Sequence, residues 1–154
     1  MRKQFKAYDL DQNLLFPNSV REFVPDDHIA HFIVDSLNTM DLSSFYTFYE
    51  QTQSEGQTVL KSSSGQPPFH PRMMLGVLLL GYCTGIRSSR RLALACCENA
   101  AFMYISGMQQ PDFRSLASFR TTHLGAFEDL FVAVLQLAQE LHLLQLGQIA
   151  IDSS

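Results

Sequence analysis

The sequence predicts an all-α protein: a compact multi-helix bundle that holds a helix-turn-helix-like cluster and ends in the start of a β-strand. Three observations carry this. From Met73 to Tyr82 apolar side chains fall on every face of one helix-length run, and such a helix has to be enclosed by others. Phe127, Leu130, Phe131, Val134, Leu135, Ala138 and Leu141 recur at helical spacing and form one stripe. Between these two runs, Gly85, Ser88, Gly107 and Asp112 cut the chain into short capped segments.

Taken in order, residues 1–25 mix charge with Leu14, Leu15 and Phe16 and carry Pro17 and Pro25, which suggests an extended arm lying on a core. Asp26 or Asp27 suits the cap of a first helix, in which Ile29, Ile33, Leu37 and Met40 repeat every three to four residues. His28 and His31 stand one turn apart there. With no carboxylate or cysteine at a matching offset, they read as ordinary histidines rather than metal ligands. A short helix is expected from Ser43 to Glu50, with Phe45, Phe48 and Tyr49 facing the core, followed by a polar loop over 51–69 that is long for a compact domain.

The helix around which the rest is organised then begins at Pro71, whose missing N–H suits the first position, with His70 as its cap. Gly85 fits the left-handed residue that stops it. Ser88 caps the next segment, Ser89 to about Cys97, which opens with Arg90 and Arg91. A second runs from Glu98 or Asn99 to Ser106 with Gly107 as its stop, and Asp112 caps a third, Phe113 to Thr122. In a helix-turn-helix layout the third is the one presented to the major groove. Its Phe113, Leu116, Ala117 and Phe119 suit burial, leaving Arg114, Ser115, Ser118, Thr121 and Thr122 outward. Three-helix clusters also occur in all-α proteins that touch no DNA, and the pattern alone leaves both readings open. The last helix is expected from Leu124 or Ala126 to Leu143 with Val132 off its main stripe; Gly147 then turns the chain into Ile149–Ile151, a strand start ending at Asp152.

Charge is unevenly placed. The chain is −4 overall, yet residues 72–120 carry six basic and two acidic groups between two flanks that are each −4. That basic middle is where an anionic partner would be met. The three cysteines, Cys83, Cys96 and Cys97, have no metal-binding spacing and read as reduced packing residues of a cytoplasmic protein. Met1 to Lys6 is charged with no apolar segment after it, and the longest charge-free apolar run is too short to span a bilayer, so no secretory signal and no membrane partner are expected. No glycine-rich phosphate loop, nucleophile elbow or His-Glu-x-x-His motif is present. An Asp that ends an apolar strand, as Asp152 does, is a position where metal-dependent nucleases place a ligand, though one strand alone fits a solvated residue equally well.

Several short pieces together carry a family resemblance: Val24-Pro25-Asp26-Asp27-His28, His70-Pro71-Arg72-Met73-Met74-Leu75, Gly81-Tyr82-Cys83-Thr84-Gly85 with Ser88-Ser89-Arg90, Pro111-Asp112-Phe113, Ser118-Phe119-Arg120 and Ile149-Ala150-Ile151-Asp152. In this order and spacing the chain resembles the N-terminal helical domain of bacterial insertion-sequence transposases of the DDE class. The resemblance implies helices over 1–146 that help recognise the ends of the element, and over 147–154 the first strand of an RNase H-like catalytic domain. It implies Asp152 as the first of three carboxylates that hold catalytic Mg²⁺. The family commonly has Asp-Gly-Thr or Asp-Gly-Ser there, whereas this chain has Asp152-Ser153-Ser154, and the other two carboxylates are not in this sequence. The chain by itself is therefore expected to lack the enzyme's activity, to need no cofactor of its own, and to be a fragment, a truncated gene product or a surviving standalone domain.

Arg87, Arg90, Arg91, Arg114, Ser118 and Arg120 are the expected DNA-binding residues, with Arg114 suited to a base edge and Arg120 alternatively pairing with Glu98 or Asp112. The expected partner is duplex DNA at insertion-sequence ends, with a second copy of the chain as a further candidate. A protein–protein module, dimerising or docking with little DNA contact, is the competing reading, and the overall acidity favours it.

Overall fold

The computed structural model describes residues 5–7, 9–11, 19–47 and 69–141, and all regular structure among them is helical. Ser19 caps a 3-10 turn, Val20–Phe23, by accepting from the Arg21 N–H. Val24 behind it is buried, at 3% exposure, so residues 19–24 form a packed turn against the rest of the domain rather than part of an extended arm.

Helix α1, Ile29–Thr39, buries Ile33 and Leu37 as its spacing requires. Its cap is His28, not Asp26 or Asp27: Nδ1 of the imidazole accepts from the Ala30 N–H at 3.0 Å. A neutral ring nitrogen is an acceptor like a carboxylate oxygen, and here it sits two residues upstream of an orphan donor. The same device recurs at the next long helix. His31 is spent elsewhere, with Nε2 3.3 Å from the Val24 carbonyl and its ring 5.2 Å from that of Tyr104. The described part of α2, residues 43–47, delivers Phe45 into the core; Phe48, Tyr49 and the loop to residue 68 lie outside the described residues.

Helix α3, Pro71–Thr84, is the enclosed one. His70 caps it through Nδ1 to the Arg72 N–H at 3.2 Å, Pro71 takes the first position, and Gly85 ends it at φ 82°. Met74 to Gly81 are all buried, which is why the run carries no polar face. Against it lie α1 and α5 (Ala100–Ile105), α4 (Ser89–Glu98) and α6 (Phe113–Thr122). Helix α7, Leu124–Glu140, closes the bundle by burying Phe127, Leu130, Val134 and Ala138, with Tyr82 of α3 at 5.2 Å from the Phe127 ring. Val132 stays 51% exposed, off that stripe as its position predicts. Residues 142–154, which hold the expected strand and Asp152, lie outside the described residues.

The approach of α3 to α4 is close enough to exclude a side chain. A Cβ on Gly81 would stand 2.5 Å from a Leu92 methyl and 2.6 Å from the Ile86 carbonyl oxygen, well inside van der Waals contact. The Ile86 N–H meanwhile donates to the Gly81 carbonyl at 2.8 Å. Burial pushes the thiols of Cys83 and Cys96 up to about 11, so they are packing groups rather than nucleophiles.

His123, 7% exposed between α6 and α7, packs its ring 4.6 Å from that of Phe119 and 5.2 Å from that of Phe45. Burial holds its pKa below the ordinary 6.5. The unfolded chain therefore binds a proton that the folded chain refuses, and stability is complete above about pH 6.5 and declines as pH falls toward the depressed value. The urea midpoint is expected to drop between pH 7 and pH 5.5 in the wild type, and to drop less in His123→Phe; equal declines would show that another group is responsible.

Candidate nucleic-acid interface

Two helix starts meet at one surface. At the first, Ser88 Oγ accepts from the Arg91 N–H at 3.5 Å, placing Arg90 and Arg91 in the opening turn of α4, which holds no acidic residue. At the second, Asp112 Oδ1 accepts from the Ser115 N–H at 3.1 Å, and α6 opens with Phe113 and Arg114. That hydrogen bonding with Ser115 keeps the Asp112 carboxyl below its usual value. Cations at a helix N-terminus are opposed by the macrodipole, so two arginines in the first turn of α4 add to a positive field instead of neutralising one. The start of α4 is thus left electrostatically open to an anion.

Helices α4 and α6 pack along each other, and α5 packs on α4. Asn99 serves as the end of α4 and the cap of α5, its Oδ1 accepting from the Ala101 N–H at 2.9 Å. A left-handed pair, Gly107 at φ 61° and Met108 at φ 66°, then turns the chain toward α6. This is a three-helix arrangement in which residues 106–112 join α5 to α6, a longer link than the turn of about three to four residues in a helix-turn-helix.

Arg87, Arg90 and Arg114 lie over aromatic rings. The Arg90 guanidinium carbon lies over the Phe113 ring at 4.3 Å, and that of Arg114 over the same ring at 5.6 Å. Arg87 stands over Tyr82 at 5.8 Å. Arg87, Arg90, Arg91 and Arg114 are all exposed, and so is Ser118, one turn beyond Arg114 on the outer side of α6 with Thr121 and Thr122. Arg114 is also near enough to Asp112 for its charge to help hold that carboxyl below the usual value.

Arg120 differs from the others. Its Nη1 donates to the Arg87 carbonyl at 2.6 Å and its Nη2 to Ser89 Oγ at 3.1 Å, so it ties the end of α6 to the start of α4. The expected alternative partners, Glu98 and Asp112, are not the ones used. A planar fork is needed to reach a carbonyl and a hydroxyl together. Arg120→Lys is accordingly expected to lower unfolding stability by about 1–2 kcal/mol, close to the loss in Arg120→Ala. Urea titration of both variants checks this, and a wild-type midpoint in the lysine variant would contradict it.

His28 and His31 are a cap and a packing residue, and no group of three His, Cys, Asp or Glu side chains among the described residues is placed to hold a metal. Sequence reasoning assigned Phe113 to the core. It is half-buried and acts as the surface on which two arginines from different helices rest.

Fold and surface together define a small all-α domain that gathers exposed arginines on a three-helix cluster built around one buried helix. The family model described as Transposase domain (DUF772) matches residues 18–122, more than half of the chain, and the chain belongs to that family. The match ends at the last residue of α6, so it takes in every arginine named here and leaves α7 outside. No curated protein and no solved structure matches the chain. No helix among the described residues is long and apolar enough to cross a membrane.

Proposed function

We propose that this domain binds duplex DNA at the ends of an insertion sequence during transposition, using the surface where α4 and α6 begin. The observation that carries the reading is the placing of Arg90 and Arg114, both exposed, over one aromatic ring where α4 and α6 begin. Membership of a transposase domain family supports it. Arg87, Arg90 and Arg91 contact phosphates. Arg114 and Ser118, both exposed on α6, contact a base edge as well as the backbone in this reading. Arg120 keeps the two helix starts together and contributes charge at the rim.

Cleavage and joining of DNA need a metal-holding carboxylate set, which the described residues do not form. In this reading Asp152 supplies the first carboxylate for Mg²⁺ in a DDE catalytic domain. It lies outside the described residues and beyond the family match, and the resemblance over Ile149-Ala150-Ile151-Asp152 is what suggests the role.

The test is a fluorescence anisotropy titration of the whole chain onto labelled duplexes carrying either the element's own end or a scrambled sequence of equal length. Preference for the end is expected, at least tenfold on the usual scale of specific over non-specific binding. Equal affinities would remove the recognition role and leave general DNA binding.

A further inference from the structure

Resting on the DNA reading above, we infer that Phe113 is a positioning residue for it: its ring sets Arg90 of α4 and Arg114 of α6 as the two prongs of one phosphate clamp. A free arginine samples many rotamers, and ordering it on binding costs affinity. The electron-rich face of an aromatic ring attracts a guanidinium, which lowers that cost before any ligand arrives. Phe113 can hold its own place because it is the first residue of α6, anchored by the Asp112 cap and preceded by the buried Pro111.

The mode of holding matters. A guanidinium drawn over a ring spends none of its N–H donors on an oxygen acceptor there, which leaves them available for phosphate oxygens. Arg120 shows the opposite case, with its donors already given to Arg87 and Ser89. The Asp112 carboxylate accepts from the Ser115 N–H, and the Arg114 charge also acts on it, whereas Arg90 is held over the ring. The two ring distances put the guanidinium carbons within about 10 Å of each other. Phosphates of one DNA strand rise about 3.4 Å per nucleotide along the axis and lie farther apart than this through space, so the prongs suit neighbouring phosphates on a single strand.

Three versions of the whole chain test the role by anisotropy on duplex DNA at a fixed low salt: Phe113→Leu, Phe113→Tyr, and Phe113 replaced by pentafluorophenylalanine, which keeps the ring's shape while reversing the polarity of its face. The leucine and fluorinated versions are expected to bind roughly tenfold more weakly, and tyrosine to bind as the wild type does. The fluorinated version separates positioning from packing should leucine disturb the fold. In an Arg90→Ala, Arg114→Ala background the changes at 113 are expected to have no further effect. Wild-type affinity in the fluorinated version, or an undiminished loss in the double-alanine background, would overturn the role of Phe113 while leaving DNA binding in place. Failure of the wild-type chain to bind duplex DNA at low salt would overturn the DNA reading itself and this role with it.

Discussion

Replacing both Arg90 and Arg91 with alanine is expected to weaken binding to duplex DNA roughly fifty-fold near 0.1 M salt, the order expected for two lost phosphate contacts. The plot of log affinity against log salt should become shallower by about 1.8 at the same time. Both side chains are exposed and in the first turn of α4, where no acidic residue neutralises the helix dipole. Their removal should therefore leave the fold alone and even relieve a small unfavourable interaction with the helix end. An unchanged thermal midpoint beside a lost affinity is the signature sought. Duplex binding at wild-type strength by the double mutant would show that the interface lies elsewhere.

The largest effect on stability is expected from the smallest change, Gly81→Ala. In an open helix interior this substitution stabilises, since alanine orders at a smaller entropic cost. Here the added methyl would meet a Leu92 methyl at 2.5 Å and the Ile86 carbonyl oxygen at 2.6 Å. The leucine can turn away only within a packed core, at 0% exposure, and the carbonyl belongs to the backbone that links α3 to α4. Relieving the clash means separating those two helices and disturbing the Ile86 N–H bond to Gly81. Overpacking of this kind costs about 2–3 kcal/mol, or roughly 5–10 °C in thermal midpoint for a chain of this size. A calorimetric midpoint at or above the wild type would mean that the α3–α4 approach is looser than described. Because α4 carries Arg90 and Arg91, DNA affinity should fall in the same variant even at temperatures where it stays folded.

The two expected results separate the layers of the molecule, and the same separation explains what could be read from the chain alone. Local signals were sufficient where a backbone group needed a partner within a few residues. Pro71 and His70 mark the start of α3, Gly85 its end, and Asp112 the start of α6, and α6 runs over Phe113–Thr122 as its apolar spacing implies. The all-helical class followed from Met73–Tyr82, because a helix apolar on all faces presupposes neighbours.

What escaped the sequence was set by residues far apart in the chain. Asp26 and Asp27 are better helix caps by general preference, yet His28 takes the position because the chain before it is fixed by the packed turn at Val20–Phe23 and the buried Val24. Arg120 has acidic residues within plausible reach in sequence, but tertiary packing brings the Arg87 carbonyl and Ser89 hydroxyl to it first. Phe113 fits the core stripe of α6 on spacing alone. Only the neighbouring start of α4 shows that its ring faces Arg90. The one local hint was an aromatic residue directly followed by an arginine at a helix start. The loop over 51–68 and the carboxyl-terminal stretch with Asp152 lie outside the described residues, so the expectations placed on them stand as they were drawn from sequence.

Whether the arginines at the α4 and α6 starts meet phosphates is measured most directly by the salt dependence of duplex binding by the wild-type chain. Anisotropy titrations at a series of salt concentrations should give a straight plot of log affinity against log salt with a slope near −3.6, the value of about −0.9 per phosphate for contacts by Arg87, Arg90, Arg91 and Arg114. A flat plot, or no binding even at the lowest salt, would contradict the account and assign the domain to protein–protein assembly within the transposase.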